Sequence, residues 1–166
     1  MPREMNIGSA EERRTPFARV LIVDDFELWK GFVIARIQEQ PDMCIVGFAS
    51  DGLQAVRKAQ ELQPDLILLD ICLPKLNGIE AARQIRKLTP KSKILFLTGD
   101  ADSDIMRTTF NTDGSGYVLK MDAAQDLLPG VVAVLQGRQF FSFSIANVED
   151  LSELRDAGFK DQRPSV

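Results

Sequence analysis

Histidine is missing from the 166-residue chain. That absence removes imidazole-based catalytic triads, the commonest metal-binding side chain and any role as a phosphohistidine carrier. Cysteine is scarce. Cys44 and Cys72 lie within or just after apolar runs and lack metal-ligand spacing, so they read as two reduced thiols rather than a bridge or a site. No apolar run approaches the roughly 18 residues of a membrane span, and the polar, charged N-terminus carries no secretory signal. The expectation is a cytoplasmic protein without a membrane partner. A net charge of −4 gives no electrostatic reason to expect nucleic acid as a partner of this chain. Internal repeats and low-complexity tracts are also lacking.

What is present is alternation. The chain is 45% hydrophobic, enough for one compact core. Short apolar runs at 20–23, 44–48, 66–69, 94–97 and 117–119 read as strands covered on both faces. Between them, apolar residues recur at helical spacing over 27–40, 53–62 and 79–88, closed by Pro41, Pro64 and Pro90. A weaker, threonine-rich helix is expected over 103–112. A last one presents Leu127, Leu128, Val131, Val134 and Leu135 before Gly137, with Asp122 as its cap and Pro129-Gly130 kinking it or delaying its start. Five strand-helix alternations predict a doubly wound α/β fold: a five-stranded parallel sheet, flavodoxin-like in order 2-1-3-4-5, with helices on both faces. Residues 1–17 read as a flexible leader, 18–137 as the domain, and 138–166 as a short, partly helical extension.

In such a sheet ligands bind beyond the carboxyl ends of the strands. Asp24 and Asp25 follow the first strand. Asp70 ends the third, in a stretch where Leu66-Ile67-Leu68-Leu69 delivers the acid to a strand tip before Pro74 turns the chain and Gly78 opens a helix. Three carboxylates in one crevice repel one another and call for a cation; oxygen-only ligands favour Mg²⁺. An aspartate is also a competent phosphoryl acceptor, and transfer to it needs charge neutralisation more than acid-base help. Lys120 and Thr98, at the ends of the fifth and fourth strands, supply an ammonium and a hydroxyl at the same edge. Taken singly, the acids could be loop or capping residues, Thr98 a turn, Lys120 a solvated end and Tyr117 a packed strand residue. Their joint placement at strand ends points to a site.

Val23-Asp24-Asp25, Leu68-Leu69-Asp70 with Pro74 and Gly78, Leu97-Thr98, and Gly116-Tyr117-Val118-Leu119-Lys120 together resemble the receiver domain of two-component response regulators, over about residues 18–136. Gly137-Arg138-Gln139-Phe140-Phe141-Ser142 is similar to the NarL/FixJ branch. The resemblance implies a phosphorelay signal-transduction protein rather than an enzyme, with only self-phosphotransfer and autodephosphorylation. Asp70 would be the phosphoacceptor, and Asp25 a direct Mg²⁺ ligand. Asp24 would hold the metal largely through water, with the Cys72 backbone carbonyl completing the protein ligands. Lys120 would pair with a phosphoryl oxygen, Thr98 would move to bond the phosphoryl group and Tyr117 would turn inward with it. The implied partners are a histidine kinase or phosphotransfer protein upstream and a protein downstream, with homodimerisation an open option.

Departures qualify the resemblance. Met121 stands where many receivers have proline, the stretch 108–116 (Thr-Thr-Phe-Asn-Thr-Asp-Gly-Ser-Gly) stands where relatives typically have an Ala- and Gly-rich segment, and Cys72 and Asp100 occupy positions that tune dephosphorylation. Only 29 residues follow Gly137, too few for a helix-turn-helix domain of about 60 residues. The leading expectation is therefore a receiver that switches a protein-interaction surface. The alternatives are the regulatory half of a DNA-binding transcription regulator and a receiver-like module that works without phosphorylation. An aspartate-nucleophile phosphatase is disfavoured, because the position two residues after Asp70 is Cys72 rather than an acid.

Overall fold

The computed structural model describes residues 17–99 and 115–146. In chain order the elements are β1 Ala18–Val23, α1 Glu27–Gln38, β2 Met43–Ala49, α2 Gly52–Leu62, β3 Leu66–Asp70, α3 Gly78–Leu88, β4 Lys93–Thr98 and β5 Ser115–Leu119. A 3₁₀ turn at Lys120–Asp122 leads into α4 Ala123–Leu135, followed by β6 Phe140–Phe141 and the short α5 Phe143–Ala146. All strand pairs are parallel, in the order β2-β1-β3-β4-β5-β6.

The expected flavodoxin-like order is observed, with one correction: the sheet has six strands, not five. The sixth lies in the segment read from sequence as an extension, where Phe140 pairs with Gly116 and Phe141 with Tyr117. Two residues are too few to show alternation, so it left no strand signature. Residues 1–16 of the leader read over 1–17, the expected helix over 103–112 and the C-terminal residues from 147 lie outside the described residues.

Strand periodicity sorts the core into two layers. Leu21, Val23, Ile67, Leu69, Phe96 and Tyr117 form one cluster with Ala55 and Ala59 of α2 and Ala81 and Ile85 of α3. The alternate residues, among them Val20, Ile22, Leu66, Leu68 and Val118, pack with Val33 and Ile37 of α1 and Leu127, Val131 and Val134 of α4.

Local chemistry sets the helix starts. Asp51 caps α2 by accepting the Gln54 N–H at 2.8 Å, and Asn77 caps α3 by accepting the Glu80 N–H at 2.9 Å. Asp122 does not cap α4 as expected; its carboxylate accepts the Ser144 N–H at 3.0 Å and the Ser144 hydroxyl at 2.7 Å. Pro129 neither delays nor divides α4, which runs continuously past it. Packing overrides the lost hydrogen bond there: a Cβ on the buried Gly130 would stand 3.1 Å from the Phe140 ring and 3.2 Å from Val118. No helix among the described residues is long and apolar enough to cross a membrane.

Candidate functional site

The site is built where β1, β3, β4 and β5 end. Asp24 follows β1, and its backbone N–H donates to the Ala49 carbonyl at 3.1 Å, fixing it to the end of β2. Asp70 closes β3. Its surroundings are tight: a Cβ at Gly78 would fall 2.1 Å from the Asp70 carbonyl oxygen, so only glycine lets α3 start directly against the strand tip. The Gly78 N–H donates to the Ile71 carbonyl at 2.8 Å and closes the turn.

Ligand oxygens of Asp24, Asp25 and Asp70 all lie within 4.8 Å of one another. Asp24 and Asp70 are buried, whereas Asp25 is exposed at the mouth. One Asp24 oxygen accepts the Phe26 N–H at 2.8 Å; the other pairs with the Lys120 ammonium at 2.8 Å. Asp70 accepts the Cys72 N–H at 3.2 Å and, through its second oxygen, meets the same ammonium at 3.4 Å. Burial and the negative charge of Asp24 push the Asp70 carboxyl up to about 6, against the pull of Lys120. Two of the three clustered acids, Asp24 and Asp70, share one ammonium here. The raised Asp70 reflects burial first and the charge of Asp24 second, and an oxygen-only donor set of this kind fits a hard divalent cation.

Every other residue expected at the site lies on a bordering element. Thr98 ends β4 and is buried. Its neighbour Leu97 pairs with Asp70, and Thr98 itself pairs with Leu119, one residue before Lys120. Tyr117 is buried within β5, its ring centroid 6.5 Å from that of Phe96. The Cys72 side chain is exposed. Asp100 lies outside the described residues.

Sequence reasoning missed one neighbour of the site and one buried cation on the same helix. Trp29, expected only to widen an apolar stripe, presents its ring to the Lys120 ammonium at 5.2 Å from the centroid. Lys30 is buried, bonding Glu27 at 3.0 Å and the Ser50 hydroxyl at 3.2 Å. A signal for Lys30 did exist: it shares the core-facing positions of Val33 and Ile37 at helical spacing. A cleft of about 1040 Å³ lies at the opposite end of the sheet, lined by residues including Arg19, Met43, Cys44, Asp65 and Lys93. It contains none of the clustered acids.

An acid crevice at the carboxyl edge of a parallel sheet in this strand order, with a lysine delivered by β5, defines a receiver domain. The chain belongs to the response regulator receiver domain family, whose sequence profile it matches over residues 20–131. It is 35% identical over 140 residues to the transcriptional regulatory protein LiaR of Bacillus subtilis, covering 84% of this chain and 66% of LiaR. To the response regulator protein VraR of Staphylococcus aureus it is 33% identical over 123 residues, covering 74% of this chain and 59% of VraR. The chain thus spans less than two thirds of the length of either relative. A crystal structure of a two-component response regulator of the LuxR family from Aurantimonas sp. SI85-9A1 superposes with a TM-score of 0.76 at 31% identity, covering 84% of this chain and 98% of that one.

Proposed function

We propose that this receiver accepts a phosphoryl group on Asp70 from a histidine kinase or phosphotransfer protein, in a Mg²⁺-dependent reaction, and thereby switches a protein-binding surface. The observation that carries this reading is the Lys120 ammonium held between Asp24 and Asp70, beside the carboxylate of Asp25. An Asp70 oxygen attacks the incoming phosphorus; the P–O bond forms as the donor's P–N bond breaks, and the freed imidazole carries its proton away. Asp24, Asp25, Asp70 and the Cys72 carbonyl would hold Mg²⁺, which supplies neutralising charge for the transferring group. Lys120 binds one phosphoryl oxygen. Thr98 bonds another as it moves, whereas Tyr117, expected to turn inward with it, is already buried.

The chain acts as a signalling phosphoacceptor in the cytoplasm, with turnover limited to its own phosphorylation and dephosphorylation. A downstream protein reads the switched surface, and a homodimer is one form that reading can take. Because LiaR carries the name of a transcriptional regulator and this chain spans 66% of its length, a second reading is the regulatory part of such a regulator. The test is incubation with a small phosphodonor, with and without Mg²⁺, followed by intact mass. One added phosphoryl group is expected only with the metal; no adduct under either condition rejects the reading.

A further inference from the structure

We propose that Trp29 is a positioning residue for Lys120, its indole face holding the ammonium where it can exchange Asp24 or Asp70 for a phosphoryl oxygen. The inference rests on the phosphoacceptor reading and deepens it. Lysine is a compact cation on a flexible four-carbon stem, and Lys120 lies at the junction of a strand and a 3₁₀ turn with its side chain 21% exposed. Something must keep that stem from swinging into solvent. The Trp29 ring stands 5.2 Å from Nζ, within the reach of a cation–π attraction.

The ring is itself held in place. It stacks on Phe32, one turn further along α1, with centroids 5.1 Å apart and planes at 30°. Arg36 of the same helix donates to the Ala124 carbonyl at 3.1 Å, tying α1 to the chain just after Lys120. An aromatic face suits this task better than a third acid or an aliphatic wall. It attracts the ammonium without neutralising it and accepts no fixed hydrogen bond, so the Nζ protons stay available to whichever oxygen is present. An aliphatic side chain of similar volume would fill the space without the attraction.

The chain contains a single tryptophan, so biosynthetic replacement by mono-, di- and trifluorotryptophan alters this ring alone, draining the charge from its face while nearly preserving its shape. Two readouts are taken on each protein: the ring-current displacement of the Lys120 Cε protons by NMR, and the rate of phosphorylation by a small phosphodonor with Mg²⁺. Both should decline stepwise with fluorine number, the rate to about one fifth at the trifluoro ring. Trp29→Phe should keep part of both, and Trp29→Leu should lose both. A rate and a displacement that stay constant across the fluorine series overturn the inference, as does Trp29→Leu reacting as fast as the parent. If the displacement declines but no form, the parent included, gains a phosphoryl group, the positioning of Lys120 stands and the phosphoacceptor reading falls.

Discussion

Asp24 and Lys120 are 96 residues apart in sequence and 2.8 Å apart in space, an ion pair that closes the crevice between the ends of β1 and β5. The same ammonium reaches Asp70 at 3.4 Å. Removing it leaves two buried carboxylates facing each other with no counter-charge, which is costly in a desolvated crevice. Lys120→Met is therefore expected to lose about 2 kcal/mol of stability in urea unfolding with chelator present, and less than that with Mg²⁺. An equal loss in both conditions would place the acids too far apart to share a cation.

Asp70 gives a pH dependence of defined sign. Its folded value of about 6 lies above the ordinary aspartate value of 3.8, so between these limits the folded state binds more protons than the unfolded chain. The ionised Asp70 thus costs stability at neutral pH, and the cost is relieved as pH falls through 6 toward 3.8. Asp70→Asn, measured without metal, is expected to be more stable than the parent at pH 7.5 by about 1–3 kcal/mol, with the difference shrinking toward pH 4. A constant difference across that range would contradict the assignment.

Divalent cation should act in the same direction. Mg²⁺ at about 100 times its dissociation constant is expected to raise stability by about 2.7 kcal/mol and to change the fluorescence of Trp29, which contacts Lys120. Asp25→Asn should weaken that binding, because Asp25 is the exposed member of the trio. Thermal shift and fluorescence titrations of the two proteins check this, and identical affinities would remove Asp25 from the site.

The turn after Asp70 is a packing constraint as well as a connection. Gly78→Ala pushes a methyl against the Asp70 carbonyl, 2.1 Å from the ideal Cβ position, and is expected to cost about 1–3 kcal/mol and to slow phosphorylation by shifting the acceptor. Asn77→Ala removes the cap of the same helix at a cost of about 1 kcal/mol, with the phosphorylation rate kept. Urea unfolding and phosphorylation kinetics separate the two.

Much of this was legible in the sequence because strands buried on both faces write themselves as apolar runs, and the residue ending each run sits at the ligand edge. Asp24, Asp70, Thr98 and Lys120 were readable for that reason alone. Contacts between elements were not. Nothing in the period of α1 says that Trp29 faces Lys120, since that depends on how α1 packs across the sheet. Phe140 and Phe141 form too short a strand to alternate, and only the open edge of β5 gives them a partner. Pro129 read as a helix disruption because propensity counts the lost hydrogen bond and not the sheet that α4 covers.

The central claim is that Asp70 is the residue that takes the phosphoryl group. Borohydride reduces an aspartyl phosphate to homoserine, so the protein is treated with phosphodonor and Mg²⁺, reduced, digested and mapped by mass spectrometry. Homoserine at position 70, dependent on the donor, is the predicted result. An unmodified Asp70 in protein that has gained a phosphoryl group elsewhere would contradict the account.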